Sequence, residues 1–143
     1  MKRIFGGLFA ALVLQFAFSG EGDNPHLPHM HEHDSVVYTG THDNDTTMGW
    51  WQTLDAGTRS RVHAEVPDPG EQMPWPLIGL ALSSRARLAV VPAQDLLGLG
   101  SAARMNTPGG TQGNWAWRAA ARSFTTALAA RMASLVETTR RSG

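Results

Sequence analysis

Three short apolar runs read as β-strands, and the spacing between them sets the limits on the fold. They are Leu12 to Phe18, Ser35 to Thr39 and Arg87 to Val91. Each is rich in β-branched and aromatic or aliphatic residues and is bounded by Gly, Pro or Ser. A long loop separates the first pair and helical sequence separates the second pair. Connections of that length predict parallel strands rather than hairpins. Three parallel strands make a poor domain, because both faces and both edges of such a sheet need cover. The chain is therefore expected to be part of a larger α/β fold.

The helices follow from period and punctuation. Thr46 or Thr47 is placed to cap a helix running through Trp50 and Trp51. Asp55 to Ala64 reads as a short polar helix, ended by Val66-Pro67-Asp68-Pro69-Gly70. Pro74 to Arg85 carries Leu77, Ile78, Leu80, Ala81 and Leu82 and predicts a mostly buried helix with Pro in its first turn. Asp95 to Leu99 is a short helical turn. Asn106 to Asn114 is a turn-rich loop. Ser123 to Arg141 is an amphipathic helix with an apolar stripe of Phe124, Leu128, Met132, Leu135 and Val136. It is expected to cover one side of the sheet, or to dock on a partner chain.

Composition removes several function classes. The 12 basic and 12 acidic residues cancel, so the chain has no electrostatic footprint for nucleic acid or an anionic membrane. It contains no cysteine, which excludes disulfides and thiol chemistry and fits a reducing, cytoplasmic setting. At the N-terminus, Lys2 and Arg3 precede an apolar run from Ile4 to Phe18, followed by Ser19-Gly20. That is the outline of a secretory leader, but Val13 to Phe18 equally has the form of a buried strand. The run is short for a membrane span and holds Gln15.

The segment with the most chemistry is Tyr38-Thr39-Gly40-Thr41-His42-Asp43-Asn44-Asp45-Thr46-Thr47. A strand delivers a His-Asp pair and a second carboxylate into the loop at its C-terminal end, which is where α/β barrels carry their active sites. A fixed negative charge there lowers the barrier to an oxocarbenium-like transition state in glycosyl transfer. The plain alternative is that Asp43 and Asp45 cap the next helix, with Asp45 the better candidate, and that His42 is polar surface.

This segment, with Gly49-Trp50-Trp51 after it, resembles the signature of the 4-alpha-glucanotransferases, the amylomaltases and disproportionating enzymes of glycoside hydrolase family seventy-seven. Val13 to Phe18, Asp23 to His29, Pro92 to Gly100, Arg104 to Gly109 and Gly113 to Arg118 resemble further blocks of that family in the same order. The resemblance implies a (β/α)8 TIM barrel, of which this chain holds the C-terminal three-eighths, strands six to eight with their cover helices. It implies transfer of α-1,4-glucan segments between maltooligosaccharides, with retention through a covalent intermediate and no cofactor. Asp43 matches the transition-state stabiliser, His42 a sugar-binding residue and Asn106 a substrate contact. Trp50 is the tryptophan expected to touch glucan. Residues 12–143 would be the barrel portion, with the N-terminal part of a barrel as the implied partner. The resemblance favours a strand over a leader at the N-terminus.

Two departures go with it. The nucleophilic aspartate and the acid/base glutamate of the family precede the resembling stretch, and none of Glu21, Glu32, Glu65, Glu71 and Glu137 stands in the acid/base context. Residues 1–11 diverge, since Phe5-Gly6-Gly7-Leu8-Phe9-Ala10-Ala11-Leu12 lacks the Pro of the family's Phe-Gly-Leu-Pro-Gly-Met. The expectation is a chain without transferase activity by itself. Two other readings are a non-catalytic α-glucan-binding module using His42, Asp43, Asn106 and Trp50, and a secreted metal binder built on His26, His29, His31 and His33. No metal site is expected, because the histidine spacing matches no closed site and cysteine partners are absent.

Overall fold

The computed structural model describes residues 10–141. Three strands, β1 (Ala10–Val13), β2 (Ser35–Tyr38) and β3 (Leu88–Val90), form one parallel sheet in that order. Leu12 pairs with Val37, which pairs with Ala89, and Val13, Tyr38 and Val90 line up in the same way. Five helices follow the chain: α1 (Thr47–Thr53), α2 (Ala56–Glu65), α3 (Trp75–Ser83), α4 (Ala93–Leu96) and α5 (Thr126–Thr138).

The first strand departs from expectation. It starts at Ala10, inside the segment read as divergent, and ends at Val13 rather than Phe18. Residues Leu14–Phe16 turn into a 3-10 helix. Gln15 is the reason: its backbone N–H donates to the Thr39 carbonyl at 3.3 Å, and its side-chain amide donates to the Asp45 carbonyl at 3.0 Å. A polar residue buried at this point bonds to the next strand's loop, so the chain turns instead of extending. The divergent residues 1–9 lie outside the described residues.

The two faces of the sheet differ. Leu12 and Val37 point to the helix side, where they join Leu14, Phe18, Val62, Val66, Leu77, Leu80 and Ala81 in one core cluster. The opposite face carries Ala11, Val36, Leu88 and Val90 by alternation. Leu88 and Val90 remain 52% and 41% exposed. One face is thus closed by helices, and the other shows apolar side chains to solvent.

Helix α5 is a looser cover than its stripe predicted. None of its residues is buried, and Phe124 is 60% exposed. It is tied down by polar groups. The Arg131 guanidinium lies 3.7 Å from the Trp75 ring centroid and pairs with Glu71. Arg141 donates to the carbonyls of Leu82, Ser84 and Ala86 at the end of α3.

The histidine run serves the fold. The His26 Nδ1 accepts the Val13 N–H at 2.9 Å, which satisfies a donor of β1. His31 is buried, with Nε2 donating to the His26 carbonyl at 2.8 Å and Nδ1 accepting from the Ser84 hydroxyl at 2.6 Å. Among the described residues no three His, Asp or Glu side chains converge on a metal position.

Burial holds both imidazoles below their ordinary value of 6.5, and for His31 the bond to the His26 carbonyl offsets only part of this. A folded-state value below the unfolded one means stability that is present above pH 6.5 and lost as pH falls through that value, because the unfolded chain takes up the proton first. The midpoint of thermal unfolding is therefore expected to be lower at pH 5.5 than at pH 7.5. His31→Asn should lower it at pH 7.5 and flatten the pH dependence. Circular dichroism melts at the two pH values measure both.

Candidate active site

The site begins where β2 ends. Thr39 and Gly40 are buried, and a side chain at Gly40 would lie 2.5 Å from the Gln15 amide nitrogen, so glycine leaves room for the Gln15 amide to reach the Asp45 carbonyl. Asn44 then folds the loop back on itself. Its Oδ1 accepts from both the Thr41 N–H and the Thr41 hydroxyl at 2.8 Å, and its own N–H donates to the Thr41 carbonyl at 3.1 Å. This tight turn puts His42 and Asp43 at its outer corner, their side chains 56% and 52% exposed.

Asp43 is nonetheless held. One carboxyl oxygen accepts from the Asn106 side-chain amide at 2.7 Å, and the other lies 3.4 Å from His42 Nε2. The Arg104 guanidinium bonds the Asp43 carbonyl at 2.8 Å and the Asn106 carbonyl at 2.9 Å, and the Asn106 N–H reaches the His42 carbonyl at 3.1 Å. Of the four residues singled out from sequence, His42, Asp43 and Asn106 thus come together across more than sixty positions of chain.

Trp50 does not join them. Helix α1 turns its ring towards Phe18, 5.9 Å away between centroids, and it packs against the core cluster. The aromatic ring beside the His-Asp pair belongs to Trp115, whose centroid lies 5.0 Å from that of His42. Trp115 and His42 line a cleft of about 130 Å³ together with Thr41, Asp45, Arg104 and Met105. Asp43 and Asn106 flank this cleft rather than line it.

The helix cap is not an aspartate. The Thr46 hydroxyl accepts the Gly49 N–H at 3.1 Å and caps α1. Asp45 instead accepts from the Thr46 N–H and from the Ser101 hydroxyl, each at 2.8 Å. Gly49 makes room for this contact, since a methyl group there would meet Ser101 Oγ at 2.2 Å and the Asp45 carboxyl at 2.6 Å. Gly49→Ala should therefore break the Asp45–Ser101 bond. Against the helix propensity gained, the net loss is expected to be ~1 kcal/mol, read from the urea unfolding midpoint.

Sequence reading missed Asp95. It is 2% exposed and accepts three bonds: from the Thr39 hydroxyl at 2.7 Å, the Thr47 hydroxyl at 2.7 Å and the Thr47 N–H at 2.8 Å. One side chain from α4 thus fastens both ends of the loop that bears His42 and Asp43. An aspartate three residues after Pro92, in the first turn of a helix, reads locally as an N-terminal charge. Only the distant threonines reveal its job.

Fold and site together define a class: a piece of a parallel α/β protein that presents a braced carboxyl-amide pair at the carboxyl ends of its strands, where ligands of such sheets bind. The 4-alpha-glucanotransferase family profile, glycoside hydrolase family 77, matches residues 5–124. A chloroplastic/amyloplastic 4-alpha-glucanotransferase of Oryza sativa subsp. japonica is 59% identical over 107 residues, covering 74% of this chain and 18% of the relative. The 4-alpha-glucanotransferase of Thermus thermophilus is 46% identical over 143 residues, covering 94% of this chain and 29% of that protein. Among solved structures, the amylomaltase from Streptococcus agalactiae in complex with acarbose superimposes with a TM-score of 0.84 at 23% identity, over 92% of this chain and 27% of that one. The chain belongs to the 4-alpha-glucanotransferase family. It spans less than a third of the length of these relatives.

Proposed function

We propose that this chain forms the closing part of the catalytic barrel of a 4-alpha-glucanotransferase, with β1, β2 and β3 as barrel strands six, seven and eight. Its substrate on this reading is an α-1,4-glucan or maltooligosaccharide, handled in the cytoplasm without a cofactor. The observation that carries the reading is the Asp43 carboxyl, exposed at the end of β2 yet fixed by the Asn106 amide at 2.7 Å. The open apolar face of Leu88 and Val90 supports it, because a closed barrel would cover such a face with the remaining strands. Those strands are the partner the face calls for.

The chemistry follows from charge. Cleaving a glycosidic bond builds positive charge on the sugar ring. A carboxylate already held in place meets that charge without reorganising at the moment of reaction. Asn106 engages one Asp43 oxygen, and the other, 3.4 Å from His42 Nε2, remains half-exposed to meet that charge, while His42 can donate to a sugar hydroxyl. The attacking carboxylate and the proton donor of a retaining reaction are a separate pair, about 5–5.5 Å apart, and on this reading stand on the other strands of the barrel.

The test is a graft. Residues 12–141 replace the matching stretch of the Thermus thermophilus relative, and the hybrid is incubated with maltotriose. Release of glucose together with longer maltodextrins is the expected result. A folded hybrid that makes neither product overturns the reading.

A further inference from the structure

We propose that Trp115 is a sugar platform, stacking the apolar face of the glucose unit next to the one held at Asp43. The inference rests on the glucan reading above and deepens it by naming a residue for a second sugar position. Its basis is how the ring is held. Trp115 has a φ of +61°, a left-handed backbone that a bulky residue rarely adopts. The strain is maintained from both sides: its N–H donates to the Met105 carbonyl at 2.7 Å, and its carbonyl accepts from Arg118. A neighbouring loop, cross-tied through Asn114, fixes the approach.

What this strained backbone presents is not a core anchor. The residue is 55% exposed, and its ring leans on the His42 imidazole at 5.0 Å, with 41° between the planes. His42 in turn reaches Asp43 at 3.4 Å. The indole therefore stands one imidazole away from the carboxyl, on the wall of the cleft. A large ring set on the wall of a cleft by a backbone conformation that costs energy points to a ligand contact. Flat C–H faces of pyranose rings match such a ring.

The experiment uses the Thermus thermophilus hybrid described above, with maltoheptaose as probe, and compares the unsubstituted hybrid with its Trp115→Gly and Trp115→Phe variants. Binding is read by saturation-transfer NMR and calorimetry, and folding by thermal melts. Glycine accepts φ of +61° freely, so Trp115→Gly should melt no lower than the unsubstituted hybrid. It should nevertheless weaken maltoheptaose binding about tenfold or more, while Trp115→Phe stays within about threefold. Unchanged binding in Trp115→Gly overturns the platform and leaves the glucan reading standing. A fall in melting temperature for Trp115→Gly, with Trp115→Phe equally unable to bind, shows a structural role and also overturns it. A folded hybrid that binds no maltoheptaose overturns the glucan reading itself.

Discussion

If Asp43 has the proposed role, Asp43→Asn in the Thermus thermophilus hybrid is expected to lower kcat for maltotriose disproportionation by about a thousandfold, roughly 4 kcal/mol of transition-state stabilisation, with little change in KM. The argument runs from geometry to sign. The asparagine keeps the size of the side chain and can still accept from the Asn106 amide, so the fold and the ground-state contacts survive. What it loses is the negative charge, and that charge matters only when the sugar ring becomes positive. A loss confined to the transition state lowers kcat and kcat/KM together. If KM rises instead while kcat holds, Asp43 is a binding residue and the electrostatic role fails. The companion expectation concerns the 143 residues by themselves: incubated with maltotriose, they are expected to release no glucose above background, because a carboxylate in the role proposed for Asp43 supplies neither a nucleophile nor a proton donor.

The second large effect lies in stability. Asp95→Ala should destabilise the chain by about 3–5 kcal/mol, because it strands two threonine hydroxyls and one N–H where water does not reach. Asp95→Asn keeps one acceptor oxygen and should cost about half as much. Urea unfolding followed by tryptophan fluorescence gives both values. Equal and small losses for the two substitutions would mean that water replaces the carboxyl. The same variants should loosen the Thr41–Asp45 loop before global unfolding, seen as faster amide exchange there.

The parts of this architecture that depend on local chemistry were legible in the sequence. The strand at Ser35, the Thr46 cap, the helix over Leu77 to Leu82 and the breaks at Gly and Pro are each decided within a few residues. The family blocks brought His42, Asp43 and Asn106 into one site, although periodicity could never have linked Asp43 to a residue so far along the chain. What stayed hidden depends on long-range partners. Gln15 looks like an interruption in an apolar strand until its amide is seen bonding the Asp45 carbonyl. Asp95 looks like a helix charge until Thr39 and Thr47 arrive. Trp50 is near His42-Asp43 in sequence, but one turn of α1 carries it to Phe18. The ring beside the pair comes from Trp115, whose left-handed backbone no propensity forecasts.

Because Asp95 grips Thr39 and Thr47 at once, the segment between them is a closed ring: a peptide arc fastened at a single buckle. Such a ring can tilt but cannot lengthen, so His42 and Asp43 move together or not at all. The facing segment that carries Trp115 is joined to this ring by Arg104, by the Asn106 amide on Asp43, by the Trp115–His42 ring contact and by backbone bonds, with no buried carboxylate like Asp95 shown to fasten it among the described residues.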